Sequence, residues 1–345
     1  MKKREPNFEN MLKVFRREEP DRPVLYELFM NQTLYTLVNG HKPEGTDRLS
    51  GARFVAEAFE KLGYDYFSTS ASSMGFATVG RPRDKTVSLN EGWCIHDWQT
   101  FEAYEWPDPD AYDYSMLNDI KPYLKDGMKA MVMGPGGVLE NAISLVGYDN
   151  LCYMLYEEPE LIKAVFDHVG SRLLRYYELA LEYDVVGFIC SNDDWGFNTQ
   201  TFLSPADMRK YVLPWHKKIV DASHAAGRPV MLHSCGCFRE VIDDTIAAGF
   251  DAKHSYEDVI MPIEEAYEAW HDRIALLGGI DVDFIVREPA EAVAVRSRAM
   301  LERVKGRGGY MLGTGNSVPE YIPVEKYFAM IGEALGYHPI TGKEI

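Results

Sequence analysis

The sequence predicts an α/β fold, a (β/α)8 TIM-type barrel formed by residues 1–345 as a single domain. Eight short apolar runs recur along the chain, and most of them lack the polar alternation of a strand with one solvated face. Stretches with apolar residues at helical spacing lie between these runs. Strands that alternate with helices form a parallel sheet with right-handed crossovers. An open, doubly wound sheet is the alternative arrangement.

The eight predicted strands are short runs of four to six residues. They are 24–29, 64–68, 129–134, 185–190, 229–233, 251–254, 274–278 and 309–313. The predicted helices are 159–182, 204–226, 237–248, 289–304 and 323–335. The segment 69–128 is too long for one crossover, so we expect an insertion near the barrel mouth. Its aromatic residues include Trp93, Trp98, Tyr104 and Trp106.

Charge and composition exclude several classes of partner. A net charge of -17 argues against nucleic acid and against an anionic membrane surface. The amino terminus has two lysines but no apolar stretch behind them, and no later window is long enough to span a bilayer. The five cysteines are an odd set, so a disulfide framework is not expected. We therefore expect a soluble, cytoplasmic protein.

Polar side chains collect at the predicted strand ends. The active site of a barrel lies at the carboxyl ends of its strands. Five of the eight ends carry a carboxylate, an imidazole or a thiol, which a purely structural barrel does not require. These residues are Glu27, Asp193, Asp194, His233, Cys235, His254 and Asp281.

The pair His233-x-Cys235 is the strongest chemical signal. Residues two apart at a strand end point the same way, so the imidazole and the thiolate can meet one metal ion. Zinc binds both groups. The alternative is a core histidine beside a small buried cysteine. Cys237 shares the parity but is predicted to begin the next helix, so we do not expect it to be a ligand.

Asp193 and Asp194 follow the fourth predicted strand as adjacent carboxylates. Such a pair can raise the pKa of one member or hold a polar substrate. The alternative is a turn that leads into a helix. His254 has a similar position after the sixth strand, where it is either a catalytic group or a satisfied structural histidine.

Several short pieces in the second half of the chain match one known family. They are NDDWG at 192–196, FLSP at 202–205, MLHSCG at 231–236, GGID at 278–281, GYMLGTGNSVP at 309–319 and the following VEKYFAMI. Through these pieces, residues 185–336 resemble the uroporphyrinogen decarboxylase superfamily, and in particular its corrinoid-dependent methyltransferase branch. The amino-terminal half fits more loosely, through Arg22-Pro23-Val24 and the Gly134-Pro135 turn. The resemblance implies a (β/α)8 barrel, in agreement with the strand count.

The decarboxylase branch of that superfamily places arginines after the first strand and an aspartate after the second. Here those places read ELFMNQ at 27–32 and FSTS at 67–70, with neither group present. A substrate with eight carboxylates would meet Glu27 instead of arginines and be repelled. We therefore expect that this chain does not decarboxylate uroporphyrinogen.

The methyltransferase branch matches His233 and Cys235 as its first two zinc ligands. Its third ligand is a cysteine in the loop after the eighth strand, and this chain has Asn316 there. Asp194, His254 and Glu27 remain as candidates for the missing ligand. A zinc with one thiolate is harder and more electrophilic, which suits the oxygen of a methyl ether better than a thiolate nucleophile.

The resemblance thus implies a zinc-dependent methyltransferase that works with a separate corrinoid protein, which supplies the cobalamin, and a small methylated substrate. In this view Asp193, Asp194 and His254 are catalytic candidates. A metal-independent decarboxylase or lyase, and a barrel that only binds ligands, are the alternatives. The residues expected to contact substrate are Glu27, Asn31, Trp195 and Asn316.

Overall fold

The computed structural model describes residues 4–78, 90 and 94–345. Its centre is one parallel sheet in which seven strands follow each other in chain order. Seven of the eight predicted strands are confirmed to within two residues at their starts and ends. The strands are β1 Tyr66–Ser70, β2 Lys129–Met133, β3 Val186–Asn192, β4 Val230–His233, β5 Ala252–His254, β6 Ala275–Leu277 and β7 Tyr310–Met311.

The remaining predicted strand, 24–29, forms isolated parallel bridges instead of a regular strand. Leu25 bridges to Leu312 just beyond β7. The Glu27 N–H donates to the Tyr66 hydroxyl at 2.7 Å, so its hydrogen bond goes to a side chain of β1 and not to the backbone of a strand. The Tyr26 ring stacks on the Tyr66 ring of β1 at 5.9 Å. One segment thus contacts both edges of the sheet, which curls as in a TIM-like α/β fold.

The helices lie between the strands, as alternation predicts. Short 3₁₀ turns cover Pro109–Ala111 and Lys121–Tyr123, and one π-helical turn covers Met208–Val212. The α-helices are α1 Glu9–Phe15, α2 Gln32–Asn39, α3 Arg48–Lys61, α4 Trp98–Ala103, α5 Met116–Asp119, α6 Val138–Val146, α7 Tyr148–Glu157, α8 Pro159–Leu181, α9 Pro205–Asp207, α10 Leu213–Ala225, α11 Ile242–Ala248, α12 Ile263–Trp270, α13 Val282–Arg287, α14 Ala290–Val304 and α15 Val324–Leu335.

Helix α8 shows how the sequence pattern becomes packing. Pro159 occupies its first turn, where a missing N–H costs nothing. Leu161, Val165 and Val169 recur at helical spacing and are fully buried. Each such side chain contributes about 1.5–3 kcal/mol when removed from water. The predicted helix 159–182 is therefore confirmed, and α14 and α15 likewise match their predicted ranges.

Helix α11 is shorter than predicted. It begins at Ile242, whereas the apolar pattern placed its start at Cys237. The Cys237 N–H donates instead to the Phe197 carbonyl at 2.7 Å. The residues after β4 thus bind to the loop after β3, which delays the helix. The expectation that Cys237 begins a helix is wrong.

The aromatic residues of the segment 69–128 pack largely on an outer helix. The Trp106 ring lies 4.7 Å from the Tyr104 ring and 4.8 Å from the His168 ring of α8. The Arg172 guanidinium lies 5.1 Å above the Trp106 ring. Trp93 lies outside the described residues. Among the helices that are described, none is long and apolar enough to cross a membrane.

Candidate active site

The carboxyl ends of β3, β4 and β5 bring the sequence-predicted groups to one edge of the sheet. Asn192 pairs with His233, and His233 pairs with His254, in the parallel register. The Asp193 N–H continues this ladder to the His233 carbonyl at 2.9 Å. Residues that follow these strands therefore start from neighbouring positions.

The loops after β3 and β4 approach each other backbone to backbone. Gly236 has a φ of +83°, and a Cβ there would lie 2.0 Å from the Gly196 carbonyl oxygen. Only glycine permits both the conformation and the contact. The approach lets the Cys235 N–H donate to Asp194 Oδ1 at 2.8 Å. The two glycines of the DDWG and HSCG motifs thus place the carboxylate beside the thiol.

Asp194, His233 and Cys235 form a cluster that could hold a metal ion. One ligand atom from each residue lies within 4.8 Å of the others. His233 Nε2 is 3.7 Å from Cys235 Sγ. Oxygen, nitrogen and sulfur donors with a fourth position open are the ligand pattern of a catalytic zinc site. Of the three candidates for the missing ligand, the structure brings Asp194 into the cluster.

Burial sets the protonation of two of these groups. It lowers the pKa of His233 to about 4, although the nearby Asp194 charge opposes this, so the imidazole is neutral at physiological pH. Burial, followed by the charge of Asp194, raises the pKa of the Cys235 thiol. A neutral imidazole is ready to bind a cation, while the thiol must lose a proton to do so.

Asn316 occupies the place of the expected third cysteine and contacts the sulfur. Its Nδ2 donates to Cys235 Sγ at 3.2 Å. An amide N–H that faces sulfur stabilises negative charge there. Asn316 would therefore stabilise a thiolate at Cys235 from outside the cluster of three ligand atoms.

Asp193 points away from that cluster although it is the sequence neighbour of Asp194. Its carboxylate is fully buried and is surrounded by donors. It closes the amino terminus of α6, where backbone N–H groups favour negative charge. Its partners are Leu139 N at 3.0 Å, Glu140 N at 2.9 Å, Trp195 Nε1 at 3.0 Å and His216 Nε2 at 2.8 Å.

Trp195 is also fully buried. Its indole N–H binds Asp193, and its ring contacts the His216 ring edge-on at 5.3 Å. The tryptophan predicted to contact substrate thus packs in the core beside the carboxylate. At this buried position the indole contacts protein groups.

Glu27 and Asn31 likewise face protein groups. Glu27 is fully buried, and its two carboxylate oxygens lie 2.9 Å from Thr314 N and 2.6 Å from Thr314 Oγ1. Burial raises its pKa to about 8. Asn31 accepts the Leu34 N–H at 2.7 Å and donates to the Pro319 carbonyl at 3.1 Å, so it caps α2 and ties it to a loop.

His254 lies behind His233 and not in the metal cluster. Its Nδ1 is 2.8 Å from His233 Nδ1, and its Nε2 is 3.1 Å from the Thr314 carbonyl oxygen. The ring is fully buried. Both ring nitrogens are therefore engaged by neighbouring protein groups.

Two charged residues near the cluster were not singled out from the sequence. Lys253 in β5 is fully buried, donates to the Ser255 carbonyl at 2.8 Å, and has its pKa lowered to about 7 by burial. Burial, then the charges of Asp193 and Asp194, raise the pKa of Glu140 to about 8. The signal for Lys253 was available, because a lysine inside a strand buried on both faces requires a specific environment.

An open cleft of about 790 Å³ lies beside the cluster, at the loops after β5, β6 and β7. Asn316 lines it and also contacts Cys235, which connects the cleft to the cluster. Its charged lining is mainly acidic, with Arg287 as the one basic residue among the described residues that line it. Such a lining repels substrates with several carboxylates. The acidic residues are Glu257, Asp258, Asp281, Asp283 and Glu288.

The chain is similar to curated proteins named uroporphyrinogen decarboxylase. A chain named uroporphyrinogen decarboxylase from Geobacter metallireducens is 24% identical over 178 residues, which cover 52% of this chain and 50% of that protein. The protein of the same name from a Synechococcus species is 26% identical over 176 residues, covering 50% and 47%. The chain thus matches about half the length of these curated relatives.

A methyltransferase from Methanosarcina mazei has the same fold, with a TM-score of 0.68 over 94% of this chain and 97% of that one, at 17% identity. The sequence profile of the uroporphyrinogen decarboxylase (URO-D) family matches residues 67–336, which is most of the chain. The profile covers every strand from β2 to β7 and all three residues of the metal cluster. The protein therefore belongs to the uroporphyrinogen decarboxylase family.

Proposed function

We propose that this protein is a zinc-dependent methyltransferase. It moves a methyl group between a small methylated substrate, which we expect to be an O-methyl ether, and a separate corrinoid protein. The observation that carries the proposal is the Asp194–His233–Cys235 cluster beside an open cleft. The shared fold of the Methanosarcina mazei methyltransferase supports it.

The residues present fit a zinc ion. Asp194, His233 and Cys235 supply one oxygen, one nitrogen and one sulfur donor, which leaves a position for substrate. Bound zinc would supply a Lewis acid that polarises the ether oxygen. A carboxylate in place of a second thiolate makes the ion harder, in keeping with an oxygen ligand.

The reaction balances with a reduced corrinoid as the second reactant. The carbon–oxygen bond of the substrate breaks, and its electron pair stays on oxygen. A reduced corrinoid on the partner protein would supply the electron pair for the new bond to the methyl carbon. The oxygen product then takes up a proton. The cobalamin belongs to the partner polypeptide in this proposal.

The chain's own residues divide the remaining work. Asp194 would hold the metal, while Asp193 positions the loop that carries Asp194 by binding the start of α6 and the Trp195 indole. Burial and the charges of both aspartates raise the pKa of Glu140 to about 8, so it can carry a proton near neutral pH beside them. Asn316 lines the cleft and faces substrate.

A metal-independent decarboxylase is the second candidate, and the names of the curated relatives favour it. Such an enzyme needs cationic groups to hold the carboxylates of its substrate. The described lining of the cleft offers Arg287 against five acidic residues, and Asp283 already pairs with that arginine at 2.9 Å. This charge balance favours the methyltransferase.

Metal content is the first test. We expect the purified protein to carry about one zinc ion per chain. Cys235→Ala and His233→Ala should lose it, and Cys237→Ala is the matched control that keeps it, because Cys237 lies outside the cluster. A wild-type protein that neither contains zinc nor takes it up on addition contradicts the metal assignment.

Methyl transfer is then assayed with a reduced corrinoid protein. Methyl ethers, methanol and methylamines are each supplied, and the visible spectrum is followed from Co(I) to methyl-Co(III). We expect the change with ethers. A response confined to methanol or methylamines rejects the substrate class, and no response to any methyl donor rejects the methyltransferase.

A further inference from the structure

We propose that His254 is a positioning residue, which holds His233 in the tautomer whose Nε2 lone pair faces Asp194 and Cys235. The tautomer is a property of the metal-free chain. Its use as a zinc ligand rests on the function proposed above.

The contact between His254 and Thr314 determines which ring nitrogen of His254 carries hydrogen. Its Nε2 lies 3.1 Å from the Thr314 carbonyl oxygen, which can only accept a hydrogen bond. His254 Nε2 therefore carries hydrogen. Gly278 makes this contact possible, because it has a φ of +69° and a Cβ there would lie 2.2 Å from that carbonyl oxygen and 2.9 Å from His254 Nε2. Any larger residue would separate the two partners.

The proton position of His254 determines which ring nitrogen of His233 carries hydrogen. A neutral imidazole has one N–H, so His254 Nδ1 has a free lone pair and accepts. Its partner at 2.8 Å is His233 Nδ1, which must donate. A cationic His254 would reverse this bond. That cation would be fully buried next to Lys253, with no carboxylate among the hydrogen-bond partners described for it.

The proton position of His233 determines which of its ring nitrogens offers a lone pair to the cluster. With hydrogen on Nδ1, His233 presents the lone pair of Nε2, which is the atom 3.7 Å from Cys235 Sγ. A histidine ligand binds metal through such a lone pair, and the hydrogen bond at the other nitrogen fixes its orientation. The site therefore has a preformed nitrogen ligand, held through His254 at the end of β5 and Thr314 in the loop after β7.

The tautomer is measured directly by ¹⁵N NMR of histidine side chains in the metal-free, full-length protein. We expect His233 to show a protonated Nδ1 and an unprotonated Nε2, and His254 to show the reverse pattern. Signals are assigned by their loss in His233→Gln and His254→Asn. The opposite tautomer at either ring overturns the proposal, whether or not the protein binds zinc.

Zinc affinity, measured by competition with a chelator, tests the consequence. His254→Phe removes the acceptor and should weaken binding by roughly 10- to 100-fold, the usual effect of losing such an outer partner. His254→Asn places an oxygen where Nδ1 was and should restore most of the affinity. The control is His224→Phe on α10, an exposed histidine away from the cluster.

The outcomes separate the two proposals. Wild-type affinity in His254→Phe overturns the positioning role. Loss of binding in both His254 variants, with melting temperatures unchanged, also overturns it, because the acceptor oxygen then fails to rescue. A wild-type protein with the expected tautomer that does not bind zinc overturns the proposed function and leaves the tautomer assignment standing.

Discussion

Replacing Glu27 by Gln should change the pH dependence of stability. Glu27 is fully buried, and its pKa rises from 4.5 to about 8 in the folded protein. Between those values the folded state holds a proton that the unfolded state has lost. The free energy of unfolding therefore falls as pH rises through that window, and the loss is complete above the folded pKa.

The size of the effect follows from the shift. One pKa unit corresponds to 1.36 kcal/mol, so ionising Glu27 in its buried site costs roughly 5 kcal/mol. Gln is the isostere that cannot ionise. Its Oε1 can accept the Thr314 N–H and its Nε2 can donate to Thr314 Oγ1, the two groups that contact Glu27 now. The packing is therefore kept while the titration is removed.

The assay is urea unfolding of both proteins at about pH 5, 7 and 9. We expect the difference in unfolding free energy to shift in favour of Glu27→Gln by several kcal/mol from the lowest to the highest pH, about 5 at most. Glu102→Gln, an exposed residue of α4, is the control and should show no such shift. A difference that stays constant, or that favours the wild type as pH rises, refutes the burial argument.

Two further expectations concern the cleft and the loops. Uroporphyrinogen should release no carbon dioxide in the presence of this protein, because its carboxylates would meet the acidic cleft, and clear turnover would overturn the methyltransferase assignment. Gly236→Ala should destabilise the protein by about 1–3 kcal/mol through strain and contact with the Gly196 carbonyl, and should lower zinc affinity; Gly227→Ala is the control, since it also has positive φ but nothing within 4 Å of its Cβ position. Equal zinc affinity and equal thermal stability in the two variants would contradict the role given to the loop contact.

The strands were predictable because parallel strands buried on both faces leave continuous apolar runs. The same rule located the cluster, since the carboxyl ends of β3 and β4 had to be neighbours. The sequence alone could not show that Asp194, and not Glu27 or His254, is the third residue of the cluster. That membership depends on the approach of Gly196 to Gly236, a contact between residues that the strand pattern does not register.

Glu27 and Asn31 are residues for which position after a strand did not predict the observed contacts. Both follow the first predicted strand, where a barrel presents its substrate groups. Their partners lie near the other end of the chain, at Thr314 and Pro319, and only the folded structure reveals that these loops occupy them. Position after a strand indicates the right edge of the sheet, but long-range hydrogen bonds decide whether a side chain there is free.

The donor atoms of the candidate metal cluster come from two chain segments, the loop after β3 and the end of β4 with its loop, and Asp194 and Cys235 are 41 residues apart. An ion bound there would cross-link these two segments at the carboxyl ends of the strands, in addition to its catalytic role. Its binding free energy would add to the stability of both segments by mass action. The thermal stability of the two segments would then depend on the zinc concentration. Removing zinc and raising the temperature would both favour the same local unfolding at the carboxyl ends of the strands.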